Sequence, residues 1–357
     1  VPPASERETE RPWPENRSRT RLLSRAEMNL THLRNLMGPH GLFEHALYRR
    51  PRPEHGYCTD DNARALVVTA GLRGPDADDV FQRCLAFVAA GWTPRGWRNR
   101  MSADGDWTDE LGSEDCHGRA IWGLGVATRH RRLPSAMLPI FDEGLQRRLV
   151  APRAIAYALL GAVAALESPE ASEAARRGIA LLSRMLPPVR PGAWMWPEQR
   201  LTYDNARIPQ AMMLVGEATD DPLLRSVGIE LLDWLVQVEW RGDRFSFTPT
   251  AGRGPDETGP AFDQQPIEAW AMAEACETAA ELTDDTGWLE RAEAAVEWFH
   301  GRNDVGVALY DPDTGAGYDG LEPDGVNRNC GAESTLAALA AQAVGARLAR
   351  RRSAVST

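Results

Sequence analysis

From Arg153 to Leu166 the chain reads RAIAYALLGAVAAL, a run that is small and apolar on nearly every side. A helix without a polar face has to be buried in most directions. The segment that follows, Glu170 to Leu186, is the opposite: arginine and glutamate stud one side of an apolar stripe, the mark of a helix lying over a core. Working outward from this pair, the alternation repeats. Buried-type runs recur as ARALVVTAGL (63–72), RAIWGLGVAT (119–128), PQAMMLVGEAT (209–219), IEAWAMAEACETAAEL (267–282) and ESTLAALAAQAVGARL (333–348). Arginine-studded amphipathic runs recur as Arg21 to Met37, Ala77 to Ala90, Pro134 to Leu149, Pro222 to Trp240 and Trp288 to Arg302, with Gly- and Pro-rich loops between.

Six helices of each kind in alternation predict a double ring, the outer helices shielding inner ones whose Ala and Gly residues permit close approach. The expected fold is therefore all-α, an (α/α)6 toroid of six outer-inner hairpins. A ring of this kind holds the length in one core. We expect a flexible segment at 1–19, a single toroid domain at 20–349 and a flexible tail at 350–357.

Net charge of −11 and a pI near 5.3 argue against a nucleic-acid or anionic-membrane partner, which would require clustered positive charge. Every basic residue is arginine, so mechanisms that need a lysine amine are excluded. The five cysteines are scattered and lack CxxC spacing, which fits a reducing, cytoplasmic compartment. No apolar run reaches membrane-spanning length and the start has no apolar signal core, so neither span nor signal peptide is expected. Neither cofactor nor metal is called for, although an acidic rim could accept calcium. Oligomeric state is not legible.

The starts of the buried helices carry the chemistry. They read YCTDDNAR (57–64), GSEDCHGR (112–119), VAPRA (150–154), TYDNARIPQ (202–210), AFDQQPIE (261–268) and RNCGAEST (328–335). In an up-and-down ring all six emerge on one rim. Five of the six bring carboxylates, and Asp-Asn-Ala-Arg occurs twice, at 61–64 and 204–207. Acidic residues here have a purely structural explanation as helix caps and dipole partners. Three features exceed it: the doublets Asp60-Asp61 and Glu114-Asp115, the cations Arg64, Arg119 and Arg207 placed against the helix dipole, and the amides and imidazole of Asn62, His117, Asn205, Gln264, Gln265 and Asn329. Pro152, Pro209 and Pro266 suit opening turns, which leaves Asp204 and Asp263 just ahead of their helices.

Paired carboxyl groups, one protonated and one ionised, are the requirement of glycoside hydrolysis. Asp61, Asp115, Asp204, Glu114 and Asp263 are the catalytic candidates. Asp115 comes first, because Glu114 beside it would raise its pKa. Asp60, Asn62, Arg64, His117, Arg119, Tyr203, Asn205, Arg207, Gln264, Gln265, Asn329 and Glu333 would line the sugar site. Trp107 and Trp196, in loops before the second and fourth inner helices, would offer faces to pyranose C–H groups.

The six hairpins, the acidic inner-helix starts and the aromatic loops resemble the six-hairpin glycosidase superfamily over about 20–349. That resemblance implies a carbohydrate-active enzyme with catalytic aspartates at inner-helix starts, which by position fall on Asp61, Asp115 or Asp204. The stretch HGLFEHALYRRPRPEHGYCTDDNARAL (40–66) also resembles a bacterial group carried beside or fused to glycosyltransferases. An epimerase of the N-acylglucosamine type shares the toroid but resembles a two-histidine design, and only His117 sits at an inner start. A lyase using Tyr203 or Tyr57 with His117, with Arg64 and Arg207 holding a uronate, and a non-catalytic glycan-binding module are the remaining rivals.

Overall fold

The computed structural model describes residues 28–189 and 192–355. They form twelve α-helices, with short antiparallel strand pairs confined to loops. The inner helices are α2 (Thr59–Thr69), α4 (Glu114–Arg129), α6 (Pro152–Ala165), α8 (Arg207–Ala218), α10 (Pro266–Thr283) and α12 (Ala332–Val355). Each packs on the next, and α12 packs back on α2, so the inner ring closes. The outer helices are α1 (Thr31–Asn35), α3 (Pro75–Gly91), α5 (Leu138–Leu145), α7 (Ser172–Leu182), α9 (Pro222–Glu239) and α11 (Gly287–Trp298). They lie against the inner helices, α3 on α2, α5 on α4, α7 on α6, α9 on α8 and α11 on α10, with α1 on α12. This is the (α/α)6 toroid.

Small residues set the closeness of the inner ring. A Cβ on Gly125 of α4 would collide with the carbonyl of Gly161 on α6, and one on Gly118 with that of Ala154. No described helix is long and apolar enough to cross a membrane.

Three boundaries differ from expectation. The first outer helix, expected over 21–37, begins only at Thr31 among the described residues; Asn29 holds the preceding turn by accepting from the Thr31 N–H (3.0 Å) and donating to the Pro312 carbonyl (3.0 Å). Its first part, with the 1–19 segment, lies outside the described residues. The third outer run breaks into a 3-10 turn (Ser135–Met137) and a short helix. The last helix continues past Ala349 to Val355, where we expected a tail, and Arg351 and Arg352 ion-pair there with Glu281 and Glu293.

Two loop pairings shape the rim. Tyr57–Cys58 pairs antiparallel with Arg100–Met101, tying the approach to α2 to the approach to α4. Gln264 bridges to Leu321, tying the approaches to α10 and α12.

Candidate functional site

The first-turn carboxylates of α2 and α4 are not the caps of their helices. Cys58 Sγ accepts the Asp61 N–H (3.5 Å) at the start of α2, and Ser113 Oγ accepts the Cys116 N–H (3.1 Å) at the start of α4. Asp60, Asp61 and Asp115 keep the dipole's support but are released from capping. Glu114 has the other fate. It accepts the N–H groups of Val150 and Ala151, each at 2.7 Å, and so supplies an anion to α6, whose N-cap Ala151 has no side chain to offer. The one inner helix without its own carboxylate borrows one. Glu114 is thereby committed to capping α6.

The remaining charges form one relay across the ring. Arg64 donates to Asp61 Oδ1 (2.7 Å) and pairs with Glu333 on α12 (2.6 Å). Arg119 donates through Nη1 to Asp60 Oδ1 (2.9 Å) and through Nη2 to the Tyr157 hydroxyl (2.9 Å). Tyr157 donates to Asp204 Oδ2 (2.5 Å), and Asp204 Oδ1 lies 3.3 Å from Arg207 Nε. Arg207 is wholly buried, packed against the faces of Trp122 and Trp270 at 4.6 and 4.5 Å, and bonds Glu274 (2.5 Å) and Gln210 (2.7 Å). Beneath it Glu268 accepts from the backbone of Asp204 and Asn205 and from the Asn205 amide. Burial, with the charges of Glu239 and Asp204, pushes the Glu268 carboxyl well above its ordinary range.

Exposure then separates structural charges from available ones. Asp61 and Asp204 are 2% and 1% exposed; Asp61 is bonded through both oxygens, to Arg64 and Cys58, whereas Asp204 Oδ1 has only the Arg207 ion pair, and burial raises Asp61 despite Arg64. Asp60 and Asp115 keep an open edge, with side chains 15% and 12% exposed. Both lie against the same Arg119 Nη1, at 2.9 and 3.7 Å, so they stand one guanidinium apart. Burial opposes the ionised form of Asp60, but Arg119, Arg64 and the Asn99 amide (2.8 Å) outweigh it and hold the carboxyl below its usual value. Tyr203 is 39% exposed and donates to Asp115 Oδ2 at 2.5 Å. Burial and the Asp115 charge push the Tyr203 phenol up. Its ring packs under Arg153 (4.7 Å), which also bonds Glu198 and Asn205.

Several expected ligand contacts are struts instead. His117 turns outward, pairs with the Gly144 carbonyl of α5 (3.0 Å) and lies against Trp97 (5.0 Å); burial pushes it down to about 4. Trp196 is fully buried and stacks on Trp234. Asn62 spans the Leu42 N–H and Cys58 carbonyl, and Asn205 the Thr202 N–H and Arg153. Gln264 is buried between Phe247, Ala261 and Asp304, and Asn329 accepts from the Tyr48 N–H. Trp107 is partly open, with Arg98 over its ring at 4.8 Å. Gln265 is the partly exposed residue ahead of α10, and Glu333 stays open beside Arg64. Asp263 is half-buried; Thr250 donates to its Oδ2 (3.1 Å), and burial, with the Asp319 charge, raises it.

Asn99, Tyr157, Glu268 and Glu274 escaped the sequence reading. Tyr157 carried a signal: it sits one turn along α6 from Arg153 and so shares its face. Asn99 comes from a distant loop and gives none. Glu44, Cys58 and Asp61 bring three donor atoms within 4.8 Å, but Arg100 and Arg64 already pair with the two carboxylates.

No family model matches this sequence, and no curated protein does. Solved structures do share its shape. A sugar epimerase from a ruminal bacterium aligns over 90% of this chain and 97% of its own, with a TM-score of 0.69 and 11% identity. The cellobiose 2-epimerase of Spirochaeta thermophila aligns over 92% and 96%, at 0.66 and 12%. A GH76 alpha-mannanase from Bacteroides thetaiotaomicron aligns over 90% and 93%, at 0.58 and 12%. They show a shared fold.

Proposed function

We propose that the protein is a carbohydrate-active enzyme that hydrolyses a glycosidic bond at this rim, with Asp60 as the standing negative charge and Asp115, coupled to Tyr203, as the proton-transfer group. One observation carries the reading: Arg119 holds two carboxylates side by side at an open edge, with the Tyr203 hydroxyl on one of them. Glycoside hydrolysis needs two carboxyl groups whose environments differ. Asp60, kept ionised by Arg119 and Arg64, stands opposite the positive charge that grows on the sugar ring. Asp115 delivers its own proton to the leaving oxygen and recovers one from the attacking water, while the Tyr203 hydroxyl, whose raised phenol keeps its proton, donates to the carboxylate left behind. Asp263, raised by burial, is the next acid in line. The sugar enzymes among the structures of like shape support a saccharide ligand.

The same geometry weakens the rivals. A lyase would need Tyr203 as a base, and its raised phenol is a poor one. The epimerase reading loses His117, which faces the outer layer, but keeps the support of the sugar epimerases among the structures of like shape. Five buried, unpaired cysteines fit the reducing compartment. A glycan panel assayed for new reducing ends, with chromatography of the recovered sugars, tests the reading. New reducing ends support it; sugar interconversion without cleavage replaces it with an epimerase, and binding without turnover with a glycan-binding module.

A further inference from the structure

A cavity of about 240 Å³ lies between the face of α9 and the loops around Trp194 and Arg253–Gly259. Its wall holds an arginine in an unusual state. Arg253 is 2% exposed, and its Nη1 donates to the Glu257 and Gly259 carbonyls (3.2 and 2.9 Å), while Nε and Nη2 have no hydrogen-bond partner among the described residues. Arg241 lines the same cavity, tethered through Nη1 to the Val238 and Trp240 carbonyls (2.9 and 3.1 Å), with its Nε unpartnered.

The nearby carboxylates are committed elsewhere. Glu257 is held by both Nη groups of Arg200 (2.6 and 2.9 Å). Glu239 accepts twice from Thr248 (2.9 and 2.6 Å) and makes no hydrogen bond to Arg253 among the described residues. The lining sets Arg253 and Arg241 against Glu257 and is therefore positive in a chain of net charge −11. A buried guanidinium with two free donors is costly to leave unmatched, and its fork suits a carboxylate or phosphate. Opposite it, Trp194 and Trp234 meet edge-on at 5.1 Å, their indole N–H groups tied to the Glu198 and Ala193 carbonyls. Indoles fixed in this way offer apolar surface to a sugar ring. The volume falls short of a pocket for a drug-sized ligand and suits a single ring.

We propose that this cavity is a second ligand site for one sugar ring bearing an anionic group, with Arg253 and Arg241 taking the anion and Trp194 and Trp234 the ring. The anion is a carboxylate or a phosphate. None of its lining residues belongs to the Asp60–Arg119–Asp115 cluster, so Asp115→Asn leaves its binding unchanged.

The full-length protein is titrated with glucuronate, glucose 6-phosphate, inorganic phosphate and glucose, following tryptophan fluorescence and heat. At least one of the two acidic sugars binds about tenfold or more tighter than glucose and than inorganic phosphate, and added salt weakens it; which one identifies the anion. Arg253→Met and the more accessible Arg241→Met each weaken that binding about tenfold, with melting curves confirming that the variants fold. If Arg253→Met does not fold, Arg241→Met decides. No binding by either acidic sugar, phosphate alone binding as tightly as both, or wild-type affinity in the folded variants overturns the proposal.

Discussion

Asp61-Asn62-Ala63-Arg64 and Asp204-Asn205-Ala206-Arg207 are the same four residues in two places on one rim, and the ring uses them differently. The first lies inside α2, which starts two residues earlier at Thr59. The second runs into α8, which begins only at Arg207, with Asp204 ahead of it in the left-handed region (φ 49°) that aspartate tolerates better than most residues. Both keep the Asp–Arg pair three residues apart. Their arginines reach in opposite directions around the ring: Arg64 to Glu333 on α12, beside an exposed edge, and Arg207 to Glu274 on α10, between two tryptophans. The tetrapeptide specifies a local ion pair. What lies beyond the pair decides whether it is accessible, replaceable or locked.

This difference can be broken experimentally. Arg207→Met strands Asp204 and leaves a gap between Trp122 and Trp270, so it should cost about 3–5 kcal/mol in denaturant unfolding, the range for a buried pair with one partner removed. A loss below about 1 kcal/mol would show that the two arginines are equivalent. His117→Leu comes next. The imidazole's folded pKa of about 4 lies below its unfolded value near 6.5, so the unfolded chain binds the extra proton and wild-type stability falls as pH drops through that window. The whole effect is about 3 kcal/mol. In His117→Leu the acid-side slope between pH 6.5 and 4 should flatten; an unchanged slope would contradict the outward placement of this ring.

Arg64→Met should be milder, about 1–3 kcal/mol, and graded by pH. Asp61 already sits above its ordinary pKa, and without Arg64 it rises further. A carboxyl raised in the folded state takes its proton at low pH, so the loss is small near pH 4 and grows toward pH 8. Equal losses at both pH values would mean that Asp61 stays ionised regardless. Tyr203→Phe keeps the ring under Arg153 and removes one hydrogen bond to a carboxylate. It should leave stability nearly unchanged and lower turnover about 10- to 100-fold. Full turnover would detach Tyr203 from the reaction.

The ring was legible because burial is periodic: ARALVVTAGL and its counterparts have no polar face, and α2, α4, α6, α8, α10 and α12 follow from that. The rim's polar residues were legible as a set but not by role. Glu114 and Asp115 are adjacent in the chain, yet one caps α6 and the other meets Tyr203, because successive helical residues point about a quarter-turn apart. Asn99 completes the cluster from a distant loop that no local spacing announces, and Glu268 does so from the helix start AFDQQPIE, where its position at the first turn did not mark it out from Asp263 and Gln264. Trp196 and Gln264 share a loop composition with genuinely open residues such as Tyr203; only packing separates them.

The most direct test of the account is turnover and sugar affinity in Asp115→Asn, Asp60→Asn, Asp61→Asn and Asp263→Asn measured side by side on a glycan that the wild type cleaves. Asp115→Asn and Asp60→Asn should each lose about 10²- to 10⁴-fold in kcat while still binding sugar, and Asp61→Asn should show its effect mainly in stability. Wild-type turnover in both Asp115→Asn and Asp60→Asn, with loss in Asp263→Asn alone, would contradict the assignment of the chemistry to the carboxylates that Arg119 holds together.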